Sequence, residues 1–193
     1  MSDFILIIFS AAIINNIVVL EILGTDPALA FLRRMDVAFG LSITMCILLP
    51  LVTVSCYLLE TQLVIPLQLQ YLEIFIFVAV IILITWCLKL WGQHSNIEFT
   101  GLFNVFLPFA GINATLLGTV LLNQKLVNGL IQSLAFSIGT ALGFSLILLM
   151  MTAINERLEV GDVPRPIQGI PILLVTLALI SMAFSGFTGM FAG

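Results

Sequence analysis

The sequence predicts an all-α integral membrane protein: six transmembrane helices in two inverted three-helix halves, with the first helix of each half broken. Three observations predict it. The 193 residues are 61% hydrophobic and 8% charged, with a mean hydropathy of +1.25, whereas a soluble domain carries about 25% charge. The apolar residues fall into runs near the roughly 20 residues that cross a bilayer. Breakers and amides interrupt the first and fourth of these runs.

The runs are Phe4–Gly24, Val37–Leu59, Tyr71–Trp91, Phe99–Leu122, Leu130–Ile154 and Ile170–Phe191. Their short connections leave no room for a soluble domain, so one membrane domain is expected, with halves near 1–92 and 93–193. The first run is not read as a cleaved signal peptide, because Asp3 precedes it rather than a basic residue and it is too long. Extended to Leu32, the stretch from Phe4 would make a helix of about 43 Å. A hydrocarbon core is only ~30 Å thick. Gly24 and Pro27 offer a break within that length.

The second and third runs read as plain spans, with Glu60 and Glu73 as boundary residues around the loop between them. Trp86 and Trp91 suit a membrane interface. The fourth run contains Pro108, Gly111, Asn113 and Gly118. Pro108 has no backbone donor and clashes with the preceding turn. The fifth and sixth runs carry Gly139 with Gly143, and Gly186 with Gly189 and Gly193, spacings that let helices approach closely. Arg33, Arg34, Lys89, Arg157 and Arg165 fall on one face and only Lys125 on the other. That bias puts the first face in the cytoplasm and both termini outside.

An odd number of helices per half inverts the halves across the membrane. Breaks at corresponding places then point to a site between them, near the midplane. The candidate residues are Asn15, Asn16, Glu21 and Asp26 in the first stretch, and Asn113 in the second. The asparagines either hydrogen-bond to neighbouring helices or line an ion path. Asn15 and Asn16 point about 100° apart on a helix, so at most one faces a given groove. Glu21 and Asp26 either snorkel to the interface and pair with Arg33 or Arg34, or serve the path. Cys46, Cys56 and Cys87 show no paired-ligand spacing and read as small hydrophobes. His94 reads as a solvated interface residue. The charged stretch from Asn155 to Pro166 reads as a solvated turn or a docking surface. No nucleophile–base constellation and no phosphate-cradling glycine loop is visible, and the absence of a basic stripe excludes nucleic-acid binding.

Four groups of residues carry a family resemblance over the full length. They are Asn15-Asn16 with Leu23-Gly24-x-x-Pro27, and Phe106-Leu107-Pro108 with Asn113 and Gly118. The others are Glu156-Arg157-Leu158 with Asp162-Val163-Pro164, and Met182-Ala183-Phe184-Ser185-Gly186-Phe187. The chain resembles the A subunits of Rnf ion-translocating electron-transport complexes, which are related to the E subunit of the sodium-pumping NADH:quinone oxidoreductase. The resemblance implies a six-helix fold of two inverted halves with half-helices in the first helix of each. It also implies a homologous E-type membrane partner, and a two-iron, two-sulfur cluster held in the membrane between the two. The complex would couple ferredoxin–NAD electron transfer to movement of sodium ions or protons in the bacterial inner membrane, and this one chain would not be catalytic alone.

Here the sequence departs from the family pattern. The family's cluster cysteines fall in Leu-Gly-x-Cys-Pro and Thr-Asn-Cys, and the matching positions are Asp26 and Ala114. Neither supplies a thiolate, the usual ligand of such clusters. No cysteine ligand from this chain is therefore expected there, and no metal ligand elsewhere. Two other functions stay open on the residues: a stand-alone small transporter using Asn15, Asn16 and Asn113, and a structural subunit retained for assembly.

Overall fold

The computed structural model describes residues 2–14, 16, 35–94, 98–111, 113–127, 129–161 and 164–186. The candidates Asn15, Glu21 and Asp26 lie outside the described residues. Helix α1 is Ser2–Phe9 and continues as a wider π-helical turn over Ser10–Ile14. α2 is Met35–Leu59, extended by a π-helical turn over Glu60–Val64. α3 is Glu73–His94, α4 Glu98–Gly111, α5 Ala114–Leu126, α6 Leu130–Val160 and α7 Ile170–Ser185.

Among the described residues, three helical stretches are long and apolar enough to cross a membrane: Met35–Val64, Gln70–Gly92 and Leu130–Glu159. α4 and α5 pass the same test only when taken together, with a bend of 48° between Val105–Gly111 and Ala114–Leu126, the form of a broken span or a re-entrant loop. Phe4–Ile14 and Ile170–Ser185 are shorter apolar helices. The expected first and last spans run on beyond them into residues outside the description.

The centre of the fold is the pair α2–α6, which makes the most extensive packing in the molecule. Met35 at the start of α2 meets Glu156 near the end of α6, and Cys46 meets Ser145 midway along both, so the two helices are antiparallel. α1 and its π-helical turn lie on α6, whereas α4 and α5 lie on α2. α3 packs on α4, α5 and α2, while α7 touches α6 and the turn after α1. Met45, Leu48, Leu49, Val52, Phe144, Ile147 and Met151 form the sealed centre between the helices.

A register links the central pair. Residues 41–59 and residues 140–158 carry the same order of buried, half-buried and exposed positions throughout. The offset between these segments is 99 residues, the separation of Cys46 and Ser145, whose Sγ and Oγ lie 3.5 Å apart. Cys46 and Ser145 are thus counterparts in this register that also touch each other.

In lipid, helices gain little from apolar burial against one another, and close backbone approach through small residues carries the association. Gly139 and Gly143 provide it for α1. A Cβ built on Gly139 would stand 2.6 Å from the Ile8 carbonyl oxygen, and one on Gly143 would stand 2.7 Å from that of Ala12. The hydroxyls in the apolar helices are largely satisfied by the helices themselves. Thr44, Thr85, Thr119, Thr140, Ser145, Thr152 and Thr176 each donate to the carbonyl four residues back.

Two expectations need correction. Asn155–Val160 is not a turn: α6 runs through it. The acid at its end also has an internal use, since the Met35 backbone N–H donates to Glu156 Oε1 at 3.0 Å and caps the start of α2 from a distant helix. Glu60 likewise stands within a continuous helical stretch rather than at its boundary. Glu156→Ala is expected to leave the first turn of α2 short of an acceptor, at a cost of about 1 kcal/mol. Glu156→Gln, which keeps an oxygen there, should lose only the charge–dipole part, about 0.3–1 kcal/mol. Thermal melts of the two variants in one detergent check the order.

Candidate functional site at the break between α4 and α5

The break follows from local chemistry. Pro108 lies inside α4 and removes one backbone donor. Asn113 is extended, at φ −69° and ψ 128°, and starts α5 as its N-cap: the Thr115 backbone N–H donates to Asn113 Oδ1 at 3.0 Å. The Leu116 N–H donates to the Asn113 carbonyl, and the Asn113 N–H to the Ala110 carbonyl. Asparagine is a strong capping residue because its side-chain oxygen satisfies a first-turn donor. Gly111 lets α3 close over the break, since a Cβ there would stand 2.7 Å from both Cγ2 and Oγ1 of Thr85.

The site is buried and polar at once. Asn113 is 5% exposed and Thr115 0%. Asn113 Nδ2 and Thr115 Oγ1 have no hydrogen-bond partner among the described residues. Leaving a buried donor without a partner costs about 1–3 kcal/mol, so two of them within the first turn of one helix are a feature to explain. Ala114, the first residue of α5, stands between them, half-buried.

Asn113 and Ala114 thus come together at the break. Asn16 lies on the α1–α6 contact. It is 2% exposed, donates from Nδ2 to the Ala12 carbonyl at 2.9 Å, and packs against Gly143. Thr115 and Thr85 were not legible as site residues, because a threonine in an apolar helix carries no signal beyond filling space. A groove of about 420 Å³, lined by Leu6, Ile7, Ser10, Ala11, Leu126, Val127, Gln132 and Phe136, contains none of the candidate residues.

The described residues at the break supply no thiolate for an iron–sulfur cluster. The Ala114 methyl has no ligand atom. Cys46 and Cys56 are on α2 and Cys87 on α3, none of them on α5. Among the described residues no three of His, Cys, Asp and Glu come together. What the break offers is hydrogen-bond donors. Asn113→Ala is expected to remove the cap and lower stability by about 1 kcal/mol, whereas Asn113→Ser, which keeps a capping oxygen, should recover most of it. Melting points of the two variants in one detergent check this.

A broken, buried, polar turn between two apolar helices is the setting in which the comparisons with known proteins are informative. A family model described as "Rnf-Nqr subunit, membrane protein" matches residues 4–191. The chain belongs to the Rnf-Nqr family of membrane subunits. Among its relatives is the A-type subunit of the ion-translocating oxidoreductase complex of Actinobacillus pleuropneumoniae serotype 5b, 39% identical over 190 residues and 98% of both chains. The proteins of the same name from Glaesserella parasuis and Colwellia psychrerythraea are 38% and 35% identical over the same share. Family membership agrees with the resemblance seen in the sequence and with the apolar helices of the fold.

Proposed function

We propose that this chain is the A-type membrane subunit of an ion-translocating oxidoreductase complex of the bacterial inner membrane. The complex couples electron transfer between ferredoxin and NAD to movement of sodium ions or protons. The chain shapes the path through the membrane, pairs with a homologous E-type subunit, and does no chemistry alone. The observation that carries this is the match to subunits of that name along essentially the whole of both chains.

Six spans in two inverted halves complete the proposal. Its support is the 99-residue register of the antiparallel pair α2–α6, with Cys46 against Ser145 where a two-fold axis would pass. The packing pattern adds to it: the first helix of each half lies on the central helix of the other. On this reading Asn15, Asn16, Glu21 and Asn113 belong to the ion path, with Asp26 and Ala114 at the positions where relatives would hold a cluster. Both termini lie outside the cytoplasm.

The test is purification from native membranes through a tag on this chain, in mild detergent. A second multi-span subunit of similar size and the soluble electron carriers are expected to co-elute, and NADH–ferredoxin turnover should move ions in reconstituted vesicles. A stable homo-oligomer that transports a solute alone would replace this proposal with the stand-alone transporter. Assembly and turnover that both survive Asn16→Leu and Asn113→Leu would remove those residues from the path.

A further inference from the structure

We infer that the N-terminus of α5 is an anion site, built from hydrogen-bond donors in place of metal ligands. Three observations meet there. α5 is a half-helix beginning at the break, so its positive end lies inside the protein, where little solvent screens it. Its cap fixes the side chain: Asn113 Oδ1 accepts from the Thr115 N–H, which leaves Nδ2 beside the first turn as a donor. Finally, Asn113 and Thr115 are both more than nine-tenths buried, and Nδ2 and Oγ1 have no partner among the described residues.

A cation moving along the neighbouring path is not what these two donors hold. The helix end repels it, and an amide nitrogen offers no lone pair for it. An anion accepts from both donors and is favoured by the helix end. The ligand is thus a small hard anion such as chloride, or an anionic group carried into the site by a docked subunit. The chemistry is the same in both cases: negative charge accepting from Asn113 Nδ2 and Thr115 Oγ1. The proposal rests on α4 and α5 being one broken span, and does not require the electron-transfer reading.

Thr115→Val is near-isosteric and deletes only the hydroxyl. Asn113→Ser keeps a capping oxygen and deletes the amide donor. The isolated chain is melted in detergent with gluconate as the sole anion, and again with chloride. Chloride is expected to raise the native melting point by about 2–4 °C, the shift of a modest stabilisation in a chain of this size. Neither variant should respond. The same comparison in the assembled complex separates the sources. A free halide stabilises the complex as it does the isolated chain. A group brought by a partner makes the complex indifferent to chloride, and Thr115→Val then lowers the melting point of the complex in both anions. No chloride response in the isolated chain and no loss of stability for Thr115→Val in the complex overturns the site. Thr115→Val would then be free to raise the melting point in every buffer, as removal of an idle buried hydroxyl does. A null result here leaves co-purification of the complex untouched, so the two proposals fail separately.

Discussion

Gly139→Ala is expected to displace α1 from α6 and lower stability by about 1–3 kcal/mol, the usual cost of overpacking. In a chain of this length that is a melting-point loss of about 2–4 °C per kcal/mol. The new methyl would stand 2.6 Å from the Ile8 carbonyl oxygen and 2.8 Å from Ala11 Cβ. The first obstacle is backbone, so no rotamer change relieves it and α1 itself must move. Gly143→Ala meets the same obstacle one turn on, at the Ala12 carbonyl, and also crowds Asn16 Nδ2 at 2.8 Å. The double variant is expected to fall furthest, and with it the yield of folded protein from membranes. Size-exclusion profiles and thermal melts in one detergent measure both. An unchanged melting point for Gly139→Ala would mean that α1 does not rest on α6.

The counterpart on the other side of the central pair should behave differently. Gly40, 99 residues before Gly139, faces the ring of Phe106 on α4, and a Cβ there would overlap that ring. The obstacle is a side chain. Gly40→Ala alone is expected to cost about 1–3 kcal/mol, and adding Phe106→Leu should recover most of it, because contacting sites are not additive. Adding Ala11→Gly to Gly139→Ala should recover little, since the Ile8 carbonyl remains. Two double-mutant cycles therefore distinguish a side-chain seat from a backbone seat at related positions. Equal rescue in both would contradict the geometry of α1.

Much of the fold was legible in the sequence. Composition and run length decide the all-helical membrane class, and Pro108, Gly111 and Asn113 mark the break between α4 and α5. The small-residue pair Gly139/Gly143 is a helix contact, as its spacing suggested. Other features were not legible, for physical reasons. Charged residues past Ile154 look like a loop, yet α6 continues, because Glu156 has the start of α2 to cap and a solvated helix end tolerates charge. The 99-residue register is nearly invisible as identity. Burial repeats where side chains do not: Met45 answers to Phe144 and Cys56 to Asn155, same depth and different chemistry.

The candidate site divides in the same way. Asn113 announces itself as an amide in an apolar run. Thr115 does not, since only the three-dimensional environment shows that its hydroxyl lacks the acceptor four residues back that Thr119 finds in its own helix. Asn16 was legible as a polar residue, and only the fold shows that it packs against Gly143 of α6.

The proposal that sets this chain apart from the family pattern is that it gives no thiolate to an intramembrane cluster. The direct measurement is the iron and acid-labile sulfide content of the purified complex, with its low-temperature spectrum, when Cys46, Cys56 and Cys87 are all alanine in this chain. Iron, sulfide and spectrum are expected to match those of the complex with the native chain. Loss of about two irons per complex, with all subunits still present, would show that one of these cysteines holds the cluster and that the site at Ala114 has been misread.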